Sequence, residues 1–230
     1  VSAPDRPVGD WQVVLVAHGT RTAAGNEVTR HLAEAVEARL GVPTVASYVE
    51  LSEPLFADVA AAATLRTVVV PLLLSTGFHV RTDLPEAAAG ASVEVVLGPQ
   101  LGPDEALAQA QVVRLREAGA QPGQRVVLVA AGSSDEQATA DQVGAVGLLA
   151  RAWDGPVELA TLSGLGTRPA EVVRPGDAVS PYLLSPGFFH DRIAREVPDG
   201  VLVADVIGPQ ELVVDLVCRR ALELAGREDA

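Results

Sequence analysis

Three blocks of this 230-residue chain occur twice in the same order, and that duplication limits the possible folds more than any other feature. Val13-Val14-Leu15-Val16-Ala17-His18-Gly19-Thr20 returns as Val126-Val127-Leu128-Val129-Ala130-Ala131-Gly132-Ser133. Leu73-Leu74-Ser75-Thr76-Gly77-Phe78-His79 returns as Leu183-Leu184-Ser185-Pro186-Gly187-Phe188-Phe189, and Gly98-Pro99-Gln100 returns as Gly208-Pro209-Gln210. The offset is 113 residues for the first block (13 to 126) and 110 for the other two (73 to 183, 98 to 208). A repeat of that length is one domain by the usual range of roughly 100–200 residues. The expectation is therefore two tandem domains of one fold, 11–118 and 125–226, joined by Gly119-Ala120-Gln121-Pro122-Gly123-Gln124. Two loops of the first copy carry His18 and His79, where the second holds Ala131 and Phe189. One site is expected, built on the first half, with the second half as a degenerate repeat forming the other wall of a cleft.

The hydrophobic pattern assigns the fold class. Gln12–Ala17 is a short Val- and Leu-rich run followed at once by Gly19, which reads as a buried strand entering a tight turn. Val28, Leu32, Val36 and Leu40 mark one face of a helix over Glu27–Leu40, stopped by Gly41-Val42-Pro43. Strands are expected at Thr44–Leu51, Thr67–Ser75 and Ser92–Leu97, and helices at Pro54–Leu65, Leu84–Ala89 and Asp104–Ala118. Alternating strands and helices of this length make parallel β–α–β units with both sheet faces covered. The predicted class is α/β, two doubly wound parallel-sheet domains repeated in tandem.

Composition removes several function classes. There is no lysine, since all 17 basic residues are arginine. That excludes a Walker-type phosphate loop and Schiff-base chemistry on this chain. Cys218 is the only cysteine, so an intrachain disulfide and an all-cysteine metal cluster are excluded. A net charge of −13 and 3% aromatic residues argue against a nucleic-acid partner. No apolar run approaches the ~20 residues needed to span a bilayer. Val1–Asp10 carries acids and prolines but no apolar signal core. A cytoplasmic protein is expected.

His18 and His79 each follow the carboxyl end of a predicted strand, and Glu50 ends the strand between them. In open parallel sheets that edge is where ligands bind. Two imidazoles and a carboxylate converging there suit a divalent metal. Simpler readings stand beside this one. A histidine before glycine is often an ordinary turn residue, but its replacement by Ala131 in a near-identical repeat shows that the fold does not need it. Glu53 competes with Glu50, and one of the two serves as the helix-start acid before Pro54. Asp83 reads most simply as the cap of the helix beginning at Leu84. Gly19 and Gly77 read as turn residues. Arg21 and Arg81 are either solvated or hold a ligand carboxylate. His31 reads as a solvated helix residue and His190 as a surface or second-wall residue.

The segments Val16-Ala17-His18-Gly19-Thr20-Arg21 and Val70-Pro71-Leu72-Leu73-Leu74-Ser75-Thr76-Gly77-Phe78-His79-Val80-Arg81-Thr82-Asp83-Leu84-Pro85 resemble the sirohydrochlorin chelatases, the ATP-independent type II tetrapyrrole chelatases. Glu50–Pro54 is similar to that family's intervening acidic element. The resemblance implies two doubly wound domains facing across a cleft, and insertion of Fe²⁺ or Co²⁺ into sirohydrochlorin as the reaction. It implies metal handling and proton acceptance by His18 and His79 with help from Glu50, and substrate contacts at Gly19, Thr20, Arg21, Gly77, Phe78 and Arg81. The metal is then a co-substrate and no tightly bound cofactor is expected. A monomer is expected because the duplication supplies both walls.

Two other classes compete. A histidine phosphatase also places His-Gly after a strand, but requires an arginine directly before that histidine, where this chain has Ala17. A non-catalytic tetrapyrrole or metal carrier would not need to keep His18, Glu50 and His79 together. The acidic balance adds an electrostatic expectation: a polycarboxylate substrate meets long-range repulsion, so its binding must rest on local donors.

Overall fold

A computed structural model describes residues 10–226. Residues 1–9, where the sequence shows no apolar signal core, lie outside the described residues. The alternation expected from the sequence is present. The first half runs β1 (Trp11–Ala17), α1 (Ala23–Leu40), β2 (Thr44–Tyr48), α2 (Phe56–Ala62), β3 (Arg66–Pro71), α3 (Leu84–Ala89), β4 (Val95–Leu97) and α4 (Glu105–Glu117). The second runs β5 (Val126–Ser133), α5 (Glu136–Trp153), β6 (Val157–Gly164), α6 (Pro169–Val172), β7 (Ala178–Tyr182), α7 (Phe188–Glu196), β8 (Leu202–Val203) and α8 (Glu211–Ala225).

The described strands form two four-stranded sheets, ordered β2-β1-β3-β4 and β6-β5-β7-β8. Every pairing is parallel. Val13 lies opposite Thr44 and Val68, while Val126 lies opposite Val157 and Ala178, so the register repeats with the sequence. Val13–Val16 and Val126–Val129 are fully buried. Their unbroken apolar runs follow from helices covering both faces of a parallel sheet. The order reverses between β1 and β3, and between β5 and β7, which creates a crevice at the carboxyl edge of each sheet.

The differences from the expected boundaries fall in the loops at the carboxyl edge of the first sheet. Helix α1 starts at Ala23 rather than Glu27 because its first turn packs through Gly25 and Asn26, both buried and neither apolar enough to show in the periodicity. A Cβ on Gly25 would lie 2.5 Å from the Pro186 carbonyl oxygen of the second half, so only glycine allows that approach. Strands β2 and β3 end earlier than expected, at Tyr48 and Pro71, where the chain leaves the sheet ahead of Glu50 and His79. Between β3 and α3 lies a π-helical turn, His79–Asp83, that the apolar pattern does not signal.

The last helix of each half packs on the sheet of the other. Helix α4 lies on β7, and α8 lies on β3 and β4. From α4, Gln111 donates to Ser180 Oγ on β7 at 2.8 Å, both residues being buried. Arg114 donates to the carbonyls of Val206 and Ile207 beyond β8. In the other direction, Leu224 of α8 occupies the space beside Gly98, and Arg66 of β3 donates to the Ala225 carbonyl. Arg39 of α1 pairs with Glu211 and Asp215 of α8, and Asp104 at the start of α4 takes Arg219 and Arg220. One apolar core consequently runs through both halves, from Leu15 and Leu32 to Leu128 and Leu149. The outer face of each sheet keeps its own smaller core, around Phe56 and Leu84 in the first half and Val172 and Ile193 in the second. Cys218 sits buried on α8, and burial pushes its thiol up, away from thiolate chemistry.

Candidate metal centre

The site is built by a close approach of two backbones. After β1 the chain turns at Gly19, whose φ is +94°, and a Cβ there would lie 1.9 Å from the Glu50 carbonyl oxygen. Glycine is therefore obligatory on both conformational and steric grounds. The same approach lets Glu50 N–H donate to the His18 carbonyl at 3.1 Å. The two side chains emerge together, with His18 Nδ1 3.6 Å from Glu50 Oε1. His79 arrives from the end of β3, its ring centroid 4.8 Å from that of His18. One potential ligand atom from each of His18, Glu50 and His79 lies within 4.8 Å of the others. Three adjacent strands, β2, β1 and β3, thus deliver the three groups that the sequence places at one sheet edge. His18 and Glu50 are exposed and His79 is half-buried. The geometry is an open three-ligand set with room for further ligands, suited to a borderline divalent ion and to its release.

A second layer holds these groups. Asp83 does not cap α3. Its backbone is helical and its side chain makes no cap bond, since the π-helical turn rotates it back onto His79, with Oδ2 2.5 Å from Nδ1. This corrects the capping role expected from sequence. A carboxylate on one imidazole nitrogen fixes the ring and leaves Nε2 to face a metal or a proton donor. Asn26 ties the other loops. Its Oδ1 accepts from Thr20 N–H at 3.1 Å, and its Nδ2 donates to the Thr20 carbonyl at 2.8 Å and to Ser52 Oγ at 2.9 Å. Tyr48 donates to the Asn26 carbonyl. One buried amide therefore locks the His18 loop to the Glu50 loop. Glu53 turns to its own backbone and accepts from Leu55 N–H at 3.1 Å, away from the histidines.

The second half borders the same edge. Thr76 N–H donates to Asp141 Oδ2 at 2.6 Å, and Arg81 pairs with Asp135 at the start of α5. The Pro186–Gly187 turn lies against Thr20 and Gly25. Tyr182 donates to the Leu74 carbonyl at 3.0 Å, and its burial pushes the phenol up, so it stays a neutral donor. Arg81, expected from the sequence to be solvated or to hold a ligand carboxylate, is engaged as a strap between the halves. Arg21 is exposed and makes no ion pair among the described residues. Phe78 is 65% exposed. Gly77 has no left-handed φ and a side chain there would meet nothing, so the turn does not require glycine as expected, and the space beside it is open. His31 is exposed on α1, and His190 lies in the first turn of α7.

Register completes the correspondence between the halves. Gly132, the counterpart of Gly19, has φ +86° and its Cβ would lie 2.0 Å from the Ser163 carbonyl oxygen. Ser163 is therefore the counterpart of Glu50, which the three repeated blocks leave unassigned. All three groups are replaced in the second half, by Ala131, Ser163 and Phe189.

Comparison with known proteins agrees with this architecture. Residues 12–118 match the CbiX family. The chain is 32% identical over 207 residues to the sirohydrochlorin ferrochelatase of Bacillus subtilis (strain 168), covering 80% of this chain and 78% of that protein. It is similar to the structure of SirB from Bacillus subtilis with Fe³⁺ at a TM-score of 0.78 and 29% identity, over 94% of this chain and 95% of that one. It is likewise similar to the sirohydrochlorin chelatase SirB from Bacillus subtilis subspecies spizizenii in complex with cobalt, at a TM-score of 0.79 and 28% identity, over the same shares. With its duplicated parallel sheets and a His18–Glu50–His79 cluster at the carboxyl edge of the first, the chain belongs to the sirohydrochlorin chelatase family.

Proposed function

We propose that this protein inserts a divalent metal, Fe²⁺ or Co²⁺, into sirohydrochlorin at the His18–Glu50–His79 cluster. The observation that carries the reading is the convergence of those three side chains at the crevice of the first sheet. The metal is a substrate here, so the site must bind it and let it go. Two neutral imidazoles and one carboxylate supply a borderline ligand set that leaves positions open for ring nitrogens. As the ion enters the ring, two pyrrole N–H protons leave. Imidazole, with an ordinary pKa near 6.5, accepts a proton at neutral pH. Asp83 on His79 Nδ1 keeps that ring oriented, and Glu50 lies 3.6 Å from His18 Nδ1.

Residues 11–118 carry the chemistry in this reading, and residues 125–226 supply the facing wall and the helix that covers the inner side of the first sheet. Arg21, exposed and without an ion pair among the described residues, is the cation for a peripheral carboxylate. Phe78, the Thr20 side chain and the main-chain N–H groups of Gly19 and Gly77 line the approach. A single chain supplies both walls, so a monomer suffices and specific activity is independent of protein concentration. The test is anaerobic: sirohydrochlorin is mixed with Fe²⁺ or Co²⁺, and the change in its absorbance spectrum is followed with and without protein. Protein-dependent acceleration at sub-stoichiometric enzyme is expected. Stoichiometric binding of sirohydrochlorin without turnover would replace this reading with a carrier.

A further inference from the structure

We propose that Leu51 is a substrate-binding residue whose side chain is held at the mouth of the metal site to meet the apolar face of the macrocycle. The inference rests on the chelatase reading above and names the contact that orients the ring there.

The observation is a backbone conformation that the side chain should disfavour. Leu51 directly follows Glu50 and has φ +64°. Among the described non-glycine residues only Asp154 shares a positive φ, at the end of α5, where an aspartate tolerates the left-handed region. Leucine has no such tolerance, because its Cβ crowds the following carbonyl oxygen. Packing in the free protein does not compensate, since Leu51 is 49% exposed. A strained, exposed, apolar residue one position from a proposed metal ligand points to function rather than to folding.

The second half supplies the control. Its counterpart is Gly164, with φ +63°, so both halves make the same left-handed turn after the second strand. There β6 stays paired through Ser133 and Gly164, and a Cβ on Gly164 would lie 2.1 Å from the Ser133 carbonyl oxygen. In the first half pairing stops sooner, and the opened turn has room for a side chain. The half that has lost its ligands closes this position and uses glycine. The half that keeps them opens it and uses leucine. Phe78, one position before His79, is also exposed, at 65%, but its counterpart Phe188 is exposed to the same degree, at 64%, so the contrast between the halves rests on Leu51. A tetrapyrrole has an apolar ring face and a carboxylate periphery. Apolar side chains immediately beside the metal ligands match the ring face, and exposed Arg21 matches the periphery.

Leu51→Gly and Leu51→Asn remove the apolar side chain while suiting the left-handed turn. Three readouts separate the possible roles: thermal midpoint, Co²⁺ binding by the protein alone, and equilibrium binding of metal-free sirohydrochlorin followed by its fluorescence. Both variants are expected to keep or raise the thermal midpoint and to bind Co²⁺ like wild type. Both should bind sirohydrochlorin about tenfold more weakly, as expected for losing part of a leucine's apolar contact. KM for sirohydrochlorin should rise by the same factor, with kcat changed less. Wild-type sirohydrochlorin affinity in both variants, alongside normal turnover, overturns the role of Leu51 and leaves the chelatase reading intact. Failure of the wild-type protein to bind or turn over sirohydrochlorin overturns both together.

Discussion

The two halves share one backbone and differ in chemistry. Gly19 and Gly132 make the same steric contact with the neighbouring strand, at Glu50 and Ser163 respectively. Where the first half presents His18, Glu50 and His79, the second presents Ala131, Ser163 and Phe189. Asp83, the partner of His79, has its counterpart in Ile193, because Arg81 N–H bonds Gly77 and Asp191 N–H bonds Gly187 in the same way. Ile193 is fully buried and packs in the outer core of the second sheet. The turn glycines therefore belong to the scaffold, whereas the side chains of His18, Glu50, His79 and Asp83 are independent of it.

The largest expected effect tests that independence directly. His18→Ala and His79→Ala should each lower the rate of metal insertion by about 10²-fold or more, the usual worth of a positioned proton acceptor. The thermal midpoint should stay near wild type, since the second half folds with Ala131 and Phe189 in those places. A collapse of stability in either variant would show that the two halves do not tolerate the same replacements.

Asp83→Asn probes the layer behind the ligands. It should weaken Co²⁺ binding and insertion by about 10–100-fold, the range for losing a partner that orients a metal-binding histidine. The complementary graft, Ala131→His with Ser163→Glu and Phe189→His, lacks such a partner at Ile193. It should bind Co²⁺ far more weakly than the natural site, as isothermal titration of a His18→Ala background would show.

Gly19→Ala and Gly132→Ala form the next pair. Each places a methyl about 2 Å from a backbone carbonyl at a left-handed φ, so each should destabilise by more than about 1 kcal/mol in denaturant unfolding. Only Gly19→Ala should also displace Glu50 from His18 and reduce insertion in the protein that remains folded. The smallest effect concerns the whole field of the molecule. At a net charge of −13, repulsion of a polycarboxylate should be screened by salt. Sirohydrochlorin binding should tighten a few-fold from low to moderate ionic strength. A steep weakening would instead mean that direct pairing with Arg21 outweighs the overall repulsion.

Much of the scaffold was legible in the chain because its signals are local. Val13–Val16 and Val126–Val129 read as buried strands from their unbroken apolar runs, and both are fully buried. The position of His18 and His79 after strand ends was enough to bring them to one edge, since parallel strands all point their carboxyl ends the same way. Other features depend on approaches between distant segments. Asn26 lies in a helical turn with no apolar face, yet it joins the Thr20 and Ser52 loops. Asp83 looked like a helix cap because Leu84-Pro85-Glu86 follows it. The π-helical turn, which leaves no mark in apolar periodicity, gave it to His79 instead.

The exchange of α4 and α8 shows the same division at larger scale. Sequence periodicity determines that each half ends in a helix, because hydrogen bonds and the apolar stripe of a helix are set within a few turns. It carries no record of which sheet that stripe will cover, because that depends on contacts between segments far apart in the chain. Tertiary packing made that choice through Gln111 with Ser180, Arg114 with the carbonyls after β8, and Leu224 against Gly98. The duplicated blocks likewise record which histidines were kept and lost. Strand register, a property of two paired segments and never of one, was needed to recognise Ser163 opposite Glu50 and Gly164 opposite Leu51.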